Sequence, residues 1–542
     1  MVSFKLFEVR HRLLYIPILF LIFLSFVDCA KKGTPSGGPR DTIPPVIIKS
    51  SPENYSINFT GNEVRIYFDE YIKLKDLQKE LIISPPLKYV PVISPLSASK
   101  ILKIKILDTL KESTTYSFNF GNSIVDNNEG NPYEYFKYVF STGSYIDSLK
   151  LSGVVRDALL LTPEIPTSLL LYESNAEFND SLVFSEKPTY ITTTKDSTST
   201  FEFTNLKEGN YLLLALKEKN IDYTFQPVND KIGFVNSEIT LPTDSTYVLT
   251  LFKEGPAYAI GRPKHVAKNH ISFGYEGDTG DLSIELLSPT PEDFESKIYK
   301  DIKSDSLQYW FKPGIQADSL LFVAKNYNRI DTLNVRTRDL YKDSLKLTSV
   351  NRGILTLKDT FKISVNTPLV SSDSEKLRVI NKDSVAIEAV ISLDTVFNLA
   401  KIIFPKTEEQ VYRVQLLPGA LTDFYSKSND TINYTVATKA LSDYGTLTLN
   451  LSNVRELPII VQLVNTKFDV LSETYLTENR PILFDFITAG DYYLRIVYDA
   501  NENRKWDSGN FLERKAPEKI VYYPSKIEVR ANWSLNETFN LD

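Results

Sequence analysis

Residues 63–72 read EVRIYFDEYI, with Val64, Ile66 and Phe68 at every second position and charged or polar residues between them. A period of two places one side of the segment in a core and leaves the other in water, which marks a half-buried β-strand. The same pattern returns in ILKIKIL (101–107), where Leu102, Ile104 and Ile106 oppose Lys103 and Lys105. YSFNF (116–120) aligns Tyr116, Phe118 and Phe120, and GTLTLNLSN (445–453) aligns Leu447, Leu449 and Leu451. Long helical periodicity is absent; EEQVYRVQL (408–416) fits a short helix or a strand equally well. The expected fold class is therefore all-β.

Length and composition limit the alternatives. A chain of 542 residues exceeds what one core serves and implies about three to five domains. Hydrophobic content of 42% and charged content of 24% are those of a folded protein. The formal net charge is −7, which argues against a nucleic-acid partner, since that needs a basic face. One cysteine, Cys29, excludes any disulfide within the chain.

That cysteine stands at a boundary. Residues 1–28 begin with Lys5, Arg10 and Arg12 and continue as the apolar run LLYIPILFLIFLSFV, Leu13 to Val27. This is short for a membrane span and suits a signal-peptide core. After Cys29 comes AKKGTPSGGPRDTIPP, rich in Gly, Pro, Ser and Lys, which reads as a flexible tether over 29–43. Apolar run, cysteine and tether together resemble a bacterial lipoprotein signal. The resemblance implies cleavage before Cys29, lipid on its sulfur and nitrogen, and anchoring in the outer membrane. Phe26 and Asp28 depart from the usual residues of that signal. The side of the membrane, periplasmic or exterior, stays open.

The chain also repeats itself. Residues 44–143 open with PPVIIKSSPEN, carry an F-x-E motif (Phe68, Glu70), and close with an I-x-D…G-N turn (Ile124, Asp126, Gly130, Asn131) before a last strand. These features resemble the SbsA-type bacterial Ig-like domain, which implies a β-sandwich. A second, weaker copy spans 351–440: DTFKISVNTPL matches the early strand and YRVQLLPGALTDFYSKSNDTINYTVATK the turn and last strand, without the glutamate. A different repeat pairs TFEFTNLKEGNYLLLAL (200–216) with LFDFITAGDYYLRIV (483–497). With LKLSGVVRDA upstream, the first of these resembles the carboxypeptidase regulatory-like fold, a small Greek-key sandwich. It assigns 147–253 and 441–542 to two such domains, with Gly209 and Gly490 as hairpin glycines of positive φ. Residues 254–350 are strand-rich and match no motif.

Catalytic constellations are scarce. His11 lies in the signal; His265 and His270 are five residues apart in a loop-like stretch, whereas zinc proteases space histidines at i, i+4 on a helix. No serine-nucleophile motif, phosphate-binding glycine loop or Cys/His pair is present. The expectation is a non-enzyme without a cofactor, with one stretch of metal-ligand spacing. In DANENRKWDSGN (499–510), Asp499, Asn501, Asn503 and Asp507 take positions 1, 3, 5 and 9 of a calcium loop. Arg504 replaces the usual glycine and Asn510 the closing glutamate, and a polar hairpin tip has the same composition. Thirteen Asp-Ser/Thr segments followed by an aliphatic residue or threonine, from Asp41 to Asp430, resemble an O-glycosylation sequon of Bacteroidota envelopes or, equally, strand entries.

Together these readings describe an acylated envelope lipoprotein built as a string of β-sandwiches. It resembles Bacteroidota outer-membrane lipoproteins, some of which act as accessory subunits of outer-membrane machines, including the β-barrel assembly complex. The expected partners are the outer membrane and other outer-membrane proteins. The alternative is a surface carbohydrate-binding or adhesion lipoprotein, with exposed Trp or Tyr as the sugar platform; the tryptophans are only Trp310, Trp506 and Trp533, few for a glycan binder.

Overall fold

The computed structural model describes residues 41–194, 198–351 and 353–541. Cys29, the signal segment and most of the tether lie outside the described residues. What is described is almost entirely β-strand, with one short α-helix, Leu77–Glu80, and brief 3-10 turns. No described helix is long and apolar enough to cross a membrane. The chain divides into two compact units, one ending at Ile146 and one running from Asp147.

The first unit is one sandwich. Its larger sheet runs Ile47–Ser51, Glu63–Leu74, Ser99–Lys105, Val92–Ser94, and Ile124–Asp126 pairs with the far end of Glu63–Leu74. The facing sheet is Ile82–Ser84, Thr115–Asn119, Lys137–Ser141. Register makes the core: Val64 pairs with Ile104 and Ile66 with Leu102, and their side chains meet Phe68, Phe118 and Phe140. Tyr116 closes the sandwich corner, its hydroxyl accepting the Lys111 N–H at 2.9 Å. Asp126 of the I-x-D…G-N turn is buried. Burial pushes its carboxyl up, but the N–H groups of Asn131, Gly130, Glu129 and Asn128 outweigh that and hold it below the usual aspartate range.

The second unit holds four sheet pairs, each around its own apolar cluster. Two reproduce a strand order found elsewhere in the chain. Around residues 345–438, the order Leu347–Ser349, Phe361–Val365, Leu399–Ile403, Val390–Asp394 repeats the larger sheet of the first unit. Opposite it, Leu377–Ile380, Val411–Leu416 and Ile432–Thr438 repeat the smaller one, so EEQVYRVQL resolves as a strand. Tyr412 sits where Tyr116 does, accepting the Thr407 N–H at 2.7 Å. Buried Asp423 answers Asp126, accepting the N–H groups of Tyr425 and Lys427.

The other repeat is equally close. Leu149–Asp157 is flanked by antiparallel Thr200–Leu206 and parallel Thr246–Leu251; Tyr444–Ser452 is flanked by antiparallel Ile482–Thr488 and parallel Ser534–Asn540. Facing these lie two sheets of the same order, centred on Gly209–Lys217 and Gly490–Tyr498. Gly209 and Gly490 begin those strands at φ 151° and 159°. Two residues on, the Tyr211 and Tyr492 hydroxyls donate to the Lys207 and Thr488 carbonyls at 3.0 and 2.7 Å.

Residues 259–336 form a sandwich of their own order. Ala259–Ile260 and Lys264–Ala267 both pair with His270–Glu276, followed by Ser306–Lys312 and Glu295–Lys300. The facing sheet is Ser283–Leu286, Ser319–Asn326, Arg329–Arg336.

Two predictions follow from the first sandwich. Residues 41–146 alone unfold in one cooperative transition, and Phe68→Ala, at 1% exposure, costs about 3–5 kcal/mol in a urea titration. The Asp126 carboxylate stabilises the fold above its unfolded-state pKa and stops doing so as pH falls through its lower folded value. Asp126→Asn therefore lowers stability at neutral pH and flattens the acid arm of the pH–stability curve.

Candidate functional site

The strand Gly490–Tyr498 carries a buried residue on each side. Leu494 and Ile496 enter the core of their own sandwich, while Arg495 and Val497 are buried on the opposite side. Arg495, 6% exposed, has no carboxylate partner among the described residues: Nε donates to Gln462 Oε1 at 2.7 Å, and Nη1 to the Tyr522 hydroxyl and the Leu159 carbonyl, each at 3.2 Å. The Tyr522 hydroxyl also donates to the Leu159 carbonyl. This strand face is thus closed by the sandwich around residues 149–251.

From the end of the strand runs the acidic loop. Asp499 is 1% exposed, so it does not occupy the solvated hairpin tip that its composition suggested. Its carboxylate accepts the Asn503 N–H at 3.1 Å and the Arg504 N–H at 2.8 Å. Asp507 Oδ2 accepts the side-chain amides of Asn503, at 2.6 Å, and Asn501. Glu518, which no motif singled out, joins them: its carboxylate accepts the Ala500 N–H at 2.9 Å and the Asp507 N–H at 3.0 Å. Burial and the charges of Asp507 and Asp499 push the Glu518 carboxyl above the usual range, against those two N–H donors. Trp506 donates Nε1–H to the Glu518 carbonyl at 3.1 Å.

These are the four positions read as calcium ligands, and they do come together. In the arrangement described, both asparagines turn N–H groups rather than carbonyl oxygens toward Asp507, and no cluster of three or more His, Cys, Asp or Glu side chains among the described residues has metal-holding geometry. The loop keeps its shape through its own hydrogen bonds. Calcium at Asp499, Asn501, Asn503 and Asp507 remains a proposal drawn from spacing.

The loop delivers an anchor. Beyond it, the Ser508 hydroxyl donates to the Lys253 carbonyl and the Glu254 carboxylate accepts the Phe511 N–H. At Gly509, a Cβ would lie 2.5 Å from the Lys515 carbonyl and 2.7 Å from the Phe252 ring, so only glycine passes. Phe511, fully buried, packs edge-on to Phe225 and Phe234, with centroids at 6.5 and 5.6 Å. Arg514 covers it, 4.9 Å from its ring, and donates Nε–H to Asp180 at 3.0 Å. Sequence reasoning missed Phe511, Arg514 and Arg495. The available signal was the unbroken apolar run of the central strands: Tyr211 to Leu216 are all buried, so that strand does not alternate and both its faces are covered.

The remaining candidates fall elsewhere. His265 and His270 lie on paired strands, not in a loop. His270 is buried, stacked 3.9 Å from Trp310, with Nε2 2.7 Å from Gln308 Oε1; burial pulls it down to about 4, so it is an uncharged core residue. Of the three tryptophans, Trp310 is buried, Trp506 half-buried and Trp533 exposed with Arg530 over its ring at 4.8 Å. Among the Asp-Ser/Thr segments, Asp305 and Asp318 do precede strands, Asp180 binds Arg514, and Asp196 lies outside the described residues.

Residues 41–142 match the bacterial Ig-like domain family. No curated protein matches the chain. Among solved structures, domains 1–6 of the surface layer protein SbsC are 11% identical, with 90% of this chain and 67% of that one covered, at a TM-score of 0.16. The SGBP-B protein of the Bacteroides ovatus mixed-linkage glucan utilization locus, solved with a mixed-linkage heptasaccharide, is 12% identical over 70% and 92%, at 0.18. BcpA, the major pilin subunit of Bacillus cereus, is 10% identical over 72% and 99%, at 0.14. Likeness at this level carries no functional argument.

Phe511→Ala is expected to cost about 3–5 kcal/mol by calorimetry of the whole chain, and to open 499–518 to limited proteolysis. Asp499→Ala, leaving the Arg504 N–H without its acceptor and the Asn503 N–H with only Asn501 Oδ1, costs about 1–3 kcal/mol. Repeating the melts in millimolar calcium checks the metal proposal: a rise in Tm lost in Asp499→Ala supports it, and an unchanged Tm removes it.

Proposed function

We propose that this chain is a non-catalytic envelope lipoprotein, tethered through Cys29 to the outer membrane, that serves as a structural and interaction subunit of an outer-membrane protein complex. The β-barrel assembly machinery is the candidate complex, by the resemblance drawn from the sequence. The observation that supports a structural role is the way residues 147–541 are joined. Phe511, Arg514 and Arg495 fix the last sandwich to the one around 149–251. The Tyr425 hydroxyl donates to the Phe311 carbonyl at 3.1 Å and Tyr299 to the Asn366 carbonyl at 2.6 Å, fixing the neighbouring pair. Joints of this kind suit a body that holds partners at a set spacing rather than a flexible string.

An interaction role is supported at the first sandwich. Val92 in its edge strand Val92–Ser94 and the flanking Val90 and Leu96 are exposed at 56%, 82% and 100%. An open apolar edge invites a partner. The alternative reading, glycan binding, has only Trp533 as an exposed tryptophan among the described residues, and Arg530 occupies its face.

The test is purification in mild detergent with mass spectrometry. A stable set of outer-membrane proteins is expected in the wild type. Cys29→Ser is expected to stay at precursor mass, to take up no lipid label and to leave the membrane fraction. A protein that purifies alone, or one that binds a polysaccharide array instead, refutes the proposal.

A further inference from the structure

The sandwich of residues 259–336 has no copy in the chain, and its open side is unusual in charge. Arg262 leads into the edge strand Lys264–Ala267; Arg336 ends the edge strand Arg329–Arg336 of the facing sheet, and Arg338 follows two residues on. These three arginines and Lys264, with His265 and Asn334, line a groove of about 470 Å³ where the two edges face each other. Its wall contains no carboxylate and, apart from Pro263, no apolar residue. All four cations are exposed, and among the described residues none makes an ion pair. Elsewhere in the same sandwich, Lys325 pairs with Glu285 at 2.8 Å and Arg329 with Asp331 at 3.1 Å.

His265 holds the groove's shape. Its Nδ1 accepts the Arg338 N–H at 3.1 Å, so Nε2 carries the hydrogen and donates to the Lys268 carbonyl at 3.2 Å. The backbone that presents Arg338 is thereby tied to the opposite sheet edge. Arg262 also lines two flanking hollows, one with Asp318 and Ser319 and one with Tyr275, Glu276 and Asp305, so the nearest carboxylates lie beside the groove and not in its wall.

Four cations without an ion pair facing one groove repel one another, in a chain whose net charge is −7. Charged residues do protect sheet edges from pairing with another chain, but that purpose needs no convergence from both sheets. Three of the four are arginines, whose planar fork matches the oxygens of a phosphate bidentately. The groove wall itself holds no aromatic to stack on a neutral sugar and, beyond Pro263, no apolar residue to form the core of a protein interface. The geometry points to this groove as a binding site for a phosphate-bearing ligand with more than one negative charge, either a lipid headgroup or a soluble phosphate ester.

The test uses the whole chain with tripolyphosphate as probe, by titration calorimetry at low salt. Binding is expected, weakening as salt rises, and Arg262→Glu or Arg336→Glu lowers affinity at least tenfold. Lys439→Glu, the same charge change at an exposed distant site, leaves it within twofold. Vesicles of phosphatidylcholine with and without phosphatidic acid separate the two sources. Retention only on the acidic vesicles, lost in Arg262→Glu, assigns a headgroup; tripolyphosphate binding without retention assigns a soluble ester. No heat with tripolyphosphate and no retention, or equal binding by wild type and Arg262→Glu, overturns the site and leaves these cations as edge protection.

Discussion

A β-strand that is apolar on both sides needs cover on both sides. The two central strands of the repeated Greek-key sandwiches, Gly209–Lys217 and Gly490–Tyr498, are of this kind. One face of each fills its own core; the other would leave leucines, or a lone guanidinium, against water. The arrangement of the second unit is organised around that second face. Residues 499–518 leave the strand, are stiffened by carboxylates that accept the loop's own N–H groups, and seat Phe511 among aromatics of the sandwich near residues 180–252. Arg495 shows the constraint most sharply. A buried guanidinium with only neutral partners carries a desolvation cost that Gln462, Tyr522 and the Leu159 carbonyl together must offset. Because Leu159 belongs to the other sandwich, that offset exists only when the two are docked.

Repetition explains why this works twice. Sheet orders, tyrosine corners and positive-φ glycines recur in the second copies, so the sandwich cores are interchangeable designs. What differs is the loops. The first Greek-key copy follows its central strand with KEKNIDYTFQP, which supplies Phe225 to the aromatic cluster; the second follows its own with the acidic loop, which supplies Phe511. The two excursions meet each other. Divergence after duplication therefore falls where a joint is built and spares the registers that make each core.

This division also sets what the sequence discloses. Val64, Ile66 and Phe68 against Leu102 and Ile104 is a local alternation, and the period alone declares which side is buried. The I-x-D and L-x-D turns are equally local, since Asp126 and Asp423 bind N–H groups within a few residues. Asp499 shows the limit: its polar neighbours resemble those of a solvated tip, yet the same residues fold inward over it and bury it. Glu518 was illegible because it reaches Asp507 from a different segment. Arg514 and Asp180 are 334 positions apart, and nothing in either neighbourhood announces the other. His265 and His270 looked like loop residues because Lys264–Ala267 is short and bulged against His270–Glu276, which breaks the period that would mark a strand.

The distribution of charge follows the same logic. In a sandwich that docks, edges and second faces are occupied by other parts of the chain, and their cations find partners there, a carboxylate for Arg514 and neutral oxygens for Arg495. The sandwich of residues 259–336 is docked on its Trp310 side, through Tyr425 and Lys312, whose ammonium donates to the Phe424 carbonyl at 3.0 Å. The cations of its opposite edge, Arg262, Lys264, Arg336 and Arg338, receive no carboxylate from the described residues. Here charges of a single sign are gathered without an ion pair among the described residues, in the sandwich that has no copy. A repeated scaffold can spare its unique module from the task of holding the body together, and that module is then free to present a surface to something outside it.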